Sequence, residues 1–407
     1  MAEIKPFAAL RPKPDLADQI AAPPYDVLSS SEARAMAADN PLSFLHVSKA
    51  EIDLDPSIDA HDPRVYRQAQ SAFHRLIKQG ALEQDDRPHL YVYRQTMGDR
   101  SQTGIVAAVS CADYENRVVR RHELTLQAKE NDRLQHIEAL SAQTGPAFLF
   151  YPPNQAVARV VQKAAAAAPQ VDLTAADGVR HTVWTIHEQG EMEAVVSAFQ
   201  EMGPLYIADG HHRTAAAVRV WKNRQSGPDK ASAYFLAVSF PWDQLKILPY
   251  NRAVRDLNGL TAEKFVEAME RLGSWEAAEN GVAARHDLRV FLSGKWHRFR
   301  WRADLPAQED EAGRLDVALL QKHVLTPLLG IDNPRTSPKI SFLGGIRGPG
   351  MLEDAVKSGE FALAFSLCPV TAQDIMAVVD KGGVMPPKST WFEPKLRDGL
   401  FSYLIEA

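Results

Sequence analysis

Apolar positions along the chain follow two rhythms that alternate over most of its length. "PRVYRQAQSAFHRLIKQG" carries Val65, Ala69, Phe73, Leu76 and Ile77 at helical spacing, and Gly80 marks its end. Just before it, "SSSEARAMAADN" predicts a helix whose Ser29 and Glu32 make a capping box. From residue 89 the period falls to two. "HLYVYRQTM" and "QTGIVAAVSCADY" read as strands joined by a hairpin turn at "GDRS", and "NRVVRRHELT" reads as another strand. "LQAKENDRLQHIEALSAQTG" predicts a charged amphipathic helix with Leu134, Ile137 and Leu140 inward and Gly145 as its stop. A strand in "PAFLFYPP", an alanine-rich helix in "NQAVARVVQKAAAAAPQ", a strand in "HTVWTIHE", a helix in "GEMEAVVSAFQEM" and a buried strand in "PLYIA" follow.

After "AYFLAVSFPWD" the style changes to helices in "AEKFVEAMERLG" and "RLDVALLQKHVLTPLLG", strands in "DLRVFLSG" and "WHRFRW", and an apolar "EFALAFSLCPV". The opening ~30 residues hold Pro6, Pro12, Pro14, Pro23 and Pro24, which predicts extended chain lying against a domain. The alternation predicts an α/β chain of mixed α+β character. Three parts are expected: an N-terminal segment over 1–88 packing on the core, a core over 89–250, and a C-terminal α+β domain over 251–407 that completes the active site.

Composition narrows the classes. The 407 residues are 45% hydrophobic and 24% charged, an ordinary globular balance. A net charge of −5, from 51 acids against 46 bases, argues against nucleic acid as a partner. The N-terminus has no apolar signal core, and no apolar run approaches the ~20 residues that span a bilayer. Cys111 and Cys368 lie too far apart in the sequence to form a CxxC redox or metal unit. A soluble, cytoplasmic protein without membrane contact is expected.

Candidate chemistry gathers in four stretches. In "IADGHHRTAAAVRVW", a strand, a glycine turn and a helix start leave backbone N–H groups facing outward, where the helix dipole favours an anion. Arg213 adds a planar cationic fork, and Asp209 suits a magnesium ion or a hydroxyl proton. An N-capping acid beside solvated histidines is the structural alternative. Zinc fits poorly, because adjacent helical histidines point about 100° apart instead of sharing a face as at i, i+4. A metal-dependent hydrolase built on His122, His211 and His212 is thus a distant third reading.

"RRHELTLQAKENDRLQH" concentrates His122, Glu123, Lys129, Asp132, Arg133 and His136. A carboxylate at the strand end, Glu123, suits a general base, with Thr125 orienting a ligand. The plain alternative is a solvated charged helix. "MPPKSTWFEPKL" offers Lys388, Ser389 and Thr390 to an anion, or simply packs its aromatics with Lys388 and Lys395 in solvent. In "AAPPYDVLS", Tyr25 and Asp26 form a preset turn, equally a pocket edge or a structural bend. Neither a Walker loop nor a GxGxxG fingerprint occurs, and "FLGGIRGPG" reads as a surface turn.

Together and in this order, "APPYDVLS", "HELT…KENDR…H", "ADGHHR" and "MPPKSTWFEPKL" resemble a widespread prokaryotic family filed as a domain of unknown function, over nearly the whole chain. Within it, "IADGHHRTAAA" is similar to the nucleotide-binding block of the ParB/sulfiredoxin-like superfamily, and most of all to the free serine kinases. The resemblance implies a ParB/sulfiredoxin-like core with additional α+β segments. It implies that Gly210, His211, His212 and Arg213 hold nucleotide phosphates; Thr214, Lys129, Arg133, Lys388, Ser389 and Thr390 are the further candidates for cofactor binding. Asp209 would then sit at the reacting phosphate and its magnesium, with Glu123 and His122 as further catalytic groups. His211 stands where sulfiredoxin has its cysteine, which excludes that chemistry. ParB's helix-turn-helix has no counterpart here.

The leading expectation is therefore a kinase using ATP or ADP and magnesium on the hydroxyl of a small metabolite, a serine-like amino acid first. The rival is a nucleotide-gated regulatory module with a protein or DNA partner.

Overall fold

The computed structural model describes residues 1–225, 227–345 and 348–405, so Ile346 and Arg347 of "FLGGIRGPG" lie outside the described residues. The fold is mixed α/β. The chain separates into two compact units, one made of Met1–Leu245 with Pro394–Ala407 and the other of Lys246–Glu393.

The first unit is built on a nine-stranded sheet. Val119–Arg120, Leu205–Asp209, Ala147–Tyr151, Tyr234–Pro241, Arg100–Ser110, Leu90–Met97, Arg180–Ile186 and Val171–Thr174 lie side by side in that order, and Ile4–Lys5 adds to Arg100–Ser110. Leu205–Asp209 pairs in parallel with Val119–Arg120, and Tyr234–Pro241 with Ala147–Tyr151; the other pairs are antiparallel. The central strands are buried along their whole length, as "AFLFY" and "YFLAVSFP" are, which explains their unbroken apolar runs. The hairpin turns at Gly98, whose φ of +63° suits a glycine.

Helix Pro63–Lys78 opens on Asp62, whose side chain accepts from Arg64 N–H, and it buries Val65, Ala69, Phe73 and Leu76. Around it a core forms with Phe44, Leu45, Val47 and Leu140. The capping box of Ser29 and Glu32 starts Ser30–Ala37. The opening segment is mostly extended, broken by the short helix Ala17–Ile20.

Two local expectations change. Helix Gln127–Leu140 stops at Ser141, which takes a left-handed φ of 49°, and not at Gly145. Ala142–Gln143 then pairs with Tyr403–Leu404, so the chain has already turned into a strand before the glycine. In "NRVVRRHELT" only Val119–Arg120 pairs as strand; residues 121–126 are loop.

The second unit holds a six-stranded antiparallel sheet in the order Gly273–Ala277, Lys295–Trp301, Asp287–Leu292, Leu363–Leu367, Tyr250–Val254, Ile340–Gly344. One face packs Phe265, Phe299, Leu319, Leu325 and Phe365 into a core, and the other carries Phe291, Trp296 and Leu352. Among the described residues, no helix is long and apolar enough to cross a membrane.

Candidate functional site

Strand Leu205–Asp209 slips register against Ala147–Tyr151 between Ile207 and Asp209. A bulge of this kind bends a strand end and re-aims its side chain. Gly210 follows with φ +87°, and helix His211–Arg224 begins at once. A Cβ at Gly210 would meet Arg213 Nε at 3.2 Å and Ala147 Cα at 3.3 Å, so the turn needs glycine for both conformation and space. The first-turn N–H groups of His211, His212 and Arg213 have no acceptor within the helix, whose first internal bond here is Thr214 N–H to Gly210 C=O.

Asp209 is held on both oxygens. Oδ1 accepts from Gly210 N–H at 2.7 Å, and Oδ2 from Lys395 Nζ at 3.0 Å. Burial opposes its charge, but the Lys395 ammonium, the Arg213 guanidinium and the Gly210 N–H together hold its carboxyl well below the usual range. About a quarter of the Asp209 and Lys395 side chains remains open to solvent, so the pair faces outward on one side.

The histidine pair is engaged elsewhere. His211 Nε2 accepts the His122 N–H at 3.4 Å, and the two rings meet edge to face at 4.5 Å. His212 Nε2 accepts the Leu126 N–H at 3.1 Å. His122 Nδ1 donates to Ile207 C=O at 2.8 Å. Burial lowers the pKa of all three, which keeps the rings neutral and their accepting nitrogens free of protons. The imidazoles thus fasten the 122–126 loop onto the strand end and the helix, and their lone pairs do not converge. No group of three or more His, Cys, Asp or Glu side chains is placed to hold a metal ion among the described residues.

Behind this strand end lies a recess of ≈ 30 Å³, room for one or two waters, lined by Tyr25, Ser48, Arg133, Gly145, Arg213 and Asp398 among others. The Arg133 guanidinium lies 3.8 Å above the Tyr25 ring and pairs with Asp132 at 2.6 Å. Arg213 donates to Pro146 C=O at 2.9 Å and is surrounded by Asp26, Asp209 and Asp398. Gly145 makes this approach possible: a Cβ there would sit 3.0 Å from Asp398 Oδ1 and 3.3 Å from Arg213 Cδ. Burial pushes the Asp398 carboxyl up to about 7, against the pull of Arg213 and Arg133 and with the help of Asp26.

A buried relay anchors the returning C-terminal segment that carries Lys395 and Asp398. Gln95 donates to Lys395 C=O at 2.7 Å. Arg397 donates to His181 Nε2 at 3.2 Å, and His181 Nδ1 therefore holds the proton it shares with Tyr93 at 2.7 Å.

The candidate residues divide accordingly. Asp209, Gly210, Arg213 and Thr214 share the strand–helix junction, with His122, His211 and His212 packed around it. Half-buried Glu123 lies in the fastened loop, close enough for its charge to act on His122 and His212. Lys129 is exposed on Gln127–Leu140 and acts on His212, while Arg133 faces the recess. Lys388, Ser389 and Thr390 belong to the second unit, where Lys388 lies 5.5 Å from the Tyr250 ring and Ser389 Oγ donates to Pro386 C=O. Thr125 Oγ1 donates to Glu130. Lys395, which the packing alternative leaves in solvent, is instead bridged to Asp209, and Asp398 and Ser48 carry no local sequence signal. The one available signal was Lys395 itself, seven residues after Lys388 in the same proline-stiffened block.

No curated protein matches the chain. Among solved structures it is similar to SbnI with a C-terminal truncation from Staphylococcus aureus, at 12% identity and TM-score 0.39, over 72% of this chain and 85% of that one. It is similar to a free serine kinase in complex with AMP at 14% identity and TM-score 0.34, over 71% and 86%. A conserved hypothetical protein from Pyrococcus furiosus matches at 14% identity and TM-score 0.34, over 72% and 93%. Likeness at this level assigns this chain neither activity nor ligand. A family model does match residues 4–318, and the chain belongs to the family described as "Protein of unknown function (DUF1015)".

Proposed function

We propose that the first unit is a nucleotide-dependent kinase that transfers a phosphoryl group to the hydroxyl of a small metabolite, with a serine-like amino acid as the first acceptor to test. The observation that carries this reading is the Asp209 carboxylate at a bulged strand end, bridged to Lys395 beside Arg213 at the open start of a 14-residue helix. Phosphoryl transfer asks chiefly for positioning and for cationic groups around the transferred phosphate. The first-turn N–H groups, Arg213 and Lys395 supply both. Asp209, ionised at neutral pH, holds the magnesium that comes with the donor, and Glu123 in the neighbouring loop takes up the acceptor's proton as the bond to phosphorus forms. His211 and His212 serve through their main-chain N–H groups, since their rings hold the 122–126 loop.

ATP or ADP is the expected donor. Magnesium arriving with it would neutralise phosphate charge, with Asp209 as its protein ligand and phosphate oxygens and water as the rest. The test is to incubate the protein with ATP or ADP, magnesium and a panel of hydroxy amino acids and to look for a phosphorylated product. No product across the panel, together with unchanged nucleotide binding in Asp209→Ala, sinks the reading. Tight nucleotide binding with slow hydrolysis and no product would favour the regulatory module instead.

A further inference from the structure

In the second unit Arg252 is 2% exposed, and the hydrogen bonds it makes all go to carbonyl oxygens. Nη1 donates to Tyr250 C=O at 2.5 Å, and Nη2 donates to Pro387 C=O at 3.1 Å and Lys388 C=O at 2.9 Å. Burial lowers its pKa, and among the described residues it forms no ion pair with a carboxylate. Burying a cation in this way is costly. Arg255, Arg285, Arg298, Arg300, Arg302 and Arg314 of the same unit each have a carboxylate. What Arg252 secures is one bend of the chain. Pro387 and Lys388 stand second and third in a turn, and Lys388 takes a left-handed φ of 54°. That third position normally belongs to glycine, because a side chain there crowds the backbone. Elsewhere in the unit Gly259, Gly294, Gly330, Gly359 and Gly382 supply such angles. The Lys388 side chain is exposed, with its ammonium 5.5 Å from the Tyr250 ring centre and the Arg252 guanidinium 6.0 Å from the same centre. Lys388 also forms no ion pair among the described residues. A buried, unpaired charge thus holds a lysine in a conformation that glycine adopts at less cost. Backbone strain kept in place by its surroundings is characteristic of ligand-binding positions.

We propose that the turn at 386–389 is an oxyanion site of the second unit, in which the Lys388 ammonium pairs with a phosphate or carboxylate group and Arg252 is its positioning residue. Two cations flank one tyrosine ring with no carboxylate paired to either, so the local field favours an anion. A lysine that merely extended into solvent would give no reason for the left-handed angle, nor for a buried arginine on its carbonyl. The site goes beyond the kinase reading and does not rest on it.

The test labels the full chain with an amine-directed ester and reads Lys388 by peptide mass spectrometry, with exposed Lys295 as the internal control. A bound oxyanion covers the amine and holds it in the protonated, unreactive form. Inorganic phosphate or acetate at about 10 mM should slow labelling of Lys388 by about fivefold relative to Lys295, and chloride at equal ionic strength should not. Whichever anion acts at the lower concentration names the group. Arg252→Met, of similar length and uncharged, should remove this protection with Lys388 still in place. Lys388→Gly should melt no lower than wild type, since glycine relieves the turn. Equal slowing by chloride, no slowing below about 50 mM of either anion, or full protection in Arg252→Met would overturn the site. So would a Lys388→Gly protein melting several degrees lower, because the lysine would then be a structural prop. If Arg252→Met does not fold, the wild-type protection and Lys388→Gly decide. No nucleotide enters the test, so its result and that of the kinase assay are read apart.

Discussion

Both units bury carboxylates, and they treat them differently. In the second unit Asp287 is 2% exposed, with Arg298 on one oxygen at 2.6 Å and Arg300 on the other at 2.9 Å. Asp316 accepts from His286 N–H at 3.0 Å and from the Trp301 indole at 3.1 Å, one donor to each oxygen. Asp374 takes the Thr371 N–H and hydroxyl on one oxygen and Arg285 on the other. In the first unit Asp398 is equally buried, yet its Oδ1 has no hydrogen-bond partner, and it lines a recess with Arg213 and Ser48, whose Nε and Oγ are likewise unpartnered. The second unit has orphan atoms too, Arg289 Nε, His323 Nε2 and Glu311 Oε2 among them, whereas Asp287, Asp316 and Asp374 each have a donor on both oxygens. A buried carboxylate with a donor on each oxygen anchors structure; where one oxygen is unmet, a buried water or a retained proton makes up the balance.

The largest effect expected is at the open strand end. Asp209→Asn should lower phosphoryl transfer by about 10²–10³-fold, the usual worth of one charged contact at the reacting centre, with a much smaller change in nucleotide affinity. Steady-state rates against single-turnover binding separate the two. A rate within a few-fold of wild type would remove Asp209 from the reacting centre.

The next concerns the two kinds of buried carboxylate directly. Asp398 has a folded pKa near 7, above the ~3.9 of an unfolded aspartate. The native state therefore holds this proton more tightly, so the associated stability is full below about pH 4 and is lost as pH rises through about 7. Asp398→Asn removes that dependence and should gain on wild type by a few kcal/mol between pH 5 and pH 8, read by urea unfolding at both values. Asp316, also raised to about 7 by burial, contributes a slope of the same sign in both proteins and cancels in the difference. Identical pH slopes in wild type and variant would show that Asp398 does not titrate in this range.

Much of this fold is legible from local pattern, because a buried strand or an amphipathic helix writes its period into adjacent residues. Leu90–Met97, Arg100–Ser110, Pro63–Lys78 and the Ser29 capping box all follow from spacing alone. So does the strand–glycine–helix junction at Asp209, the readable half of the candidate site. The other half is not local. Lys395 reaches Asp209 across 186 positions, and the segment carrying it is anchored by Gln95 and His181 from interior strands. Nothing near "EPKLRD" distinguishes a buried lysine from a solvated one, whereas Lys388 beside Ser389 and Thr390 has the look of an anion site. Likewise, two adjacent histidines suggest chemistry in a sequence, but their bonds to His122 and Leu126 N–H depend on a loop about 86–89 positions away. The expected strand stops short of "HELT" for the same reason: histidine side chains, not a neighbouring strand, accept the N–H groups of His122 at its start and Leu126 just beyond it.

The complete carboxylates allow a smaller, contrasting break. Asp287→Ala strips the partner from Arg298 and Arg300, whose side chains are 28% and 58% exposed and so keep access to water. The cost should be about 1–3 kcal/mol, below the 3–5 typical when a fully buried pair loses one member. Urea unfolding of the variant against wild type at one pH reads this loss. No loss at Asp287, or a gain like that expected of Asp398→Asn, would erase the distinction between the two sites.

The smallest effect tests whether the histidine pair is scaffold or ligand. His212→Ala removes the acceptor of the Leu126 N–H, worth about 0.5–1.5 kcal/mol and confined to the 122–126 loop. Amide hydrogen exchange in that loop should quicken, while the global melting temperature hardly moves. Nucleotide affinity should also hold, since the phosphate-facing group at this position is the main-chain N–H, which alanine keeps. If the imidazole also gripped a phosphate through its Nδ1–H, the same substitution would weaken nucleotide binding as well as quicken loop exchange. The two readouts report opposite sides of one ring: exchange reads the Nε2 acceptor that Leu126 occupies, and nucleotide affinity reads the Nδ1–H, the ring group able to donate to a phosphate oxygen.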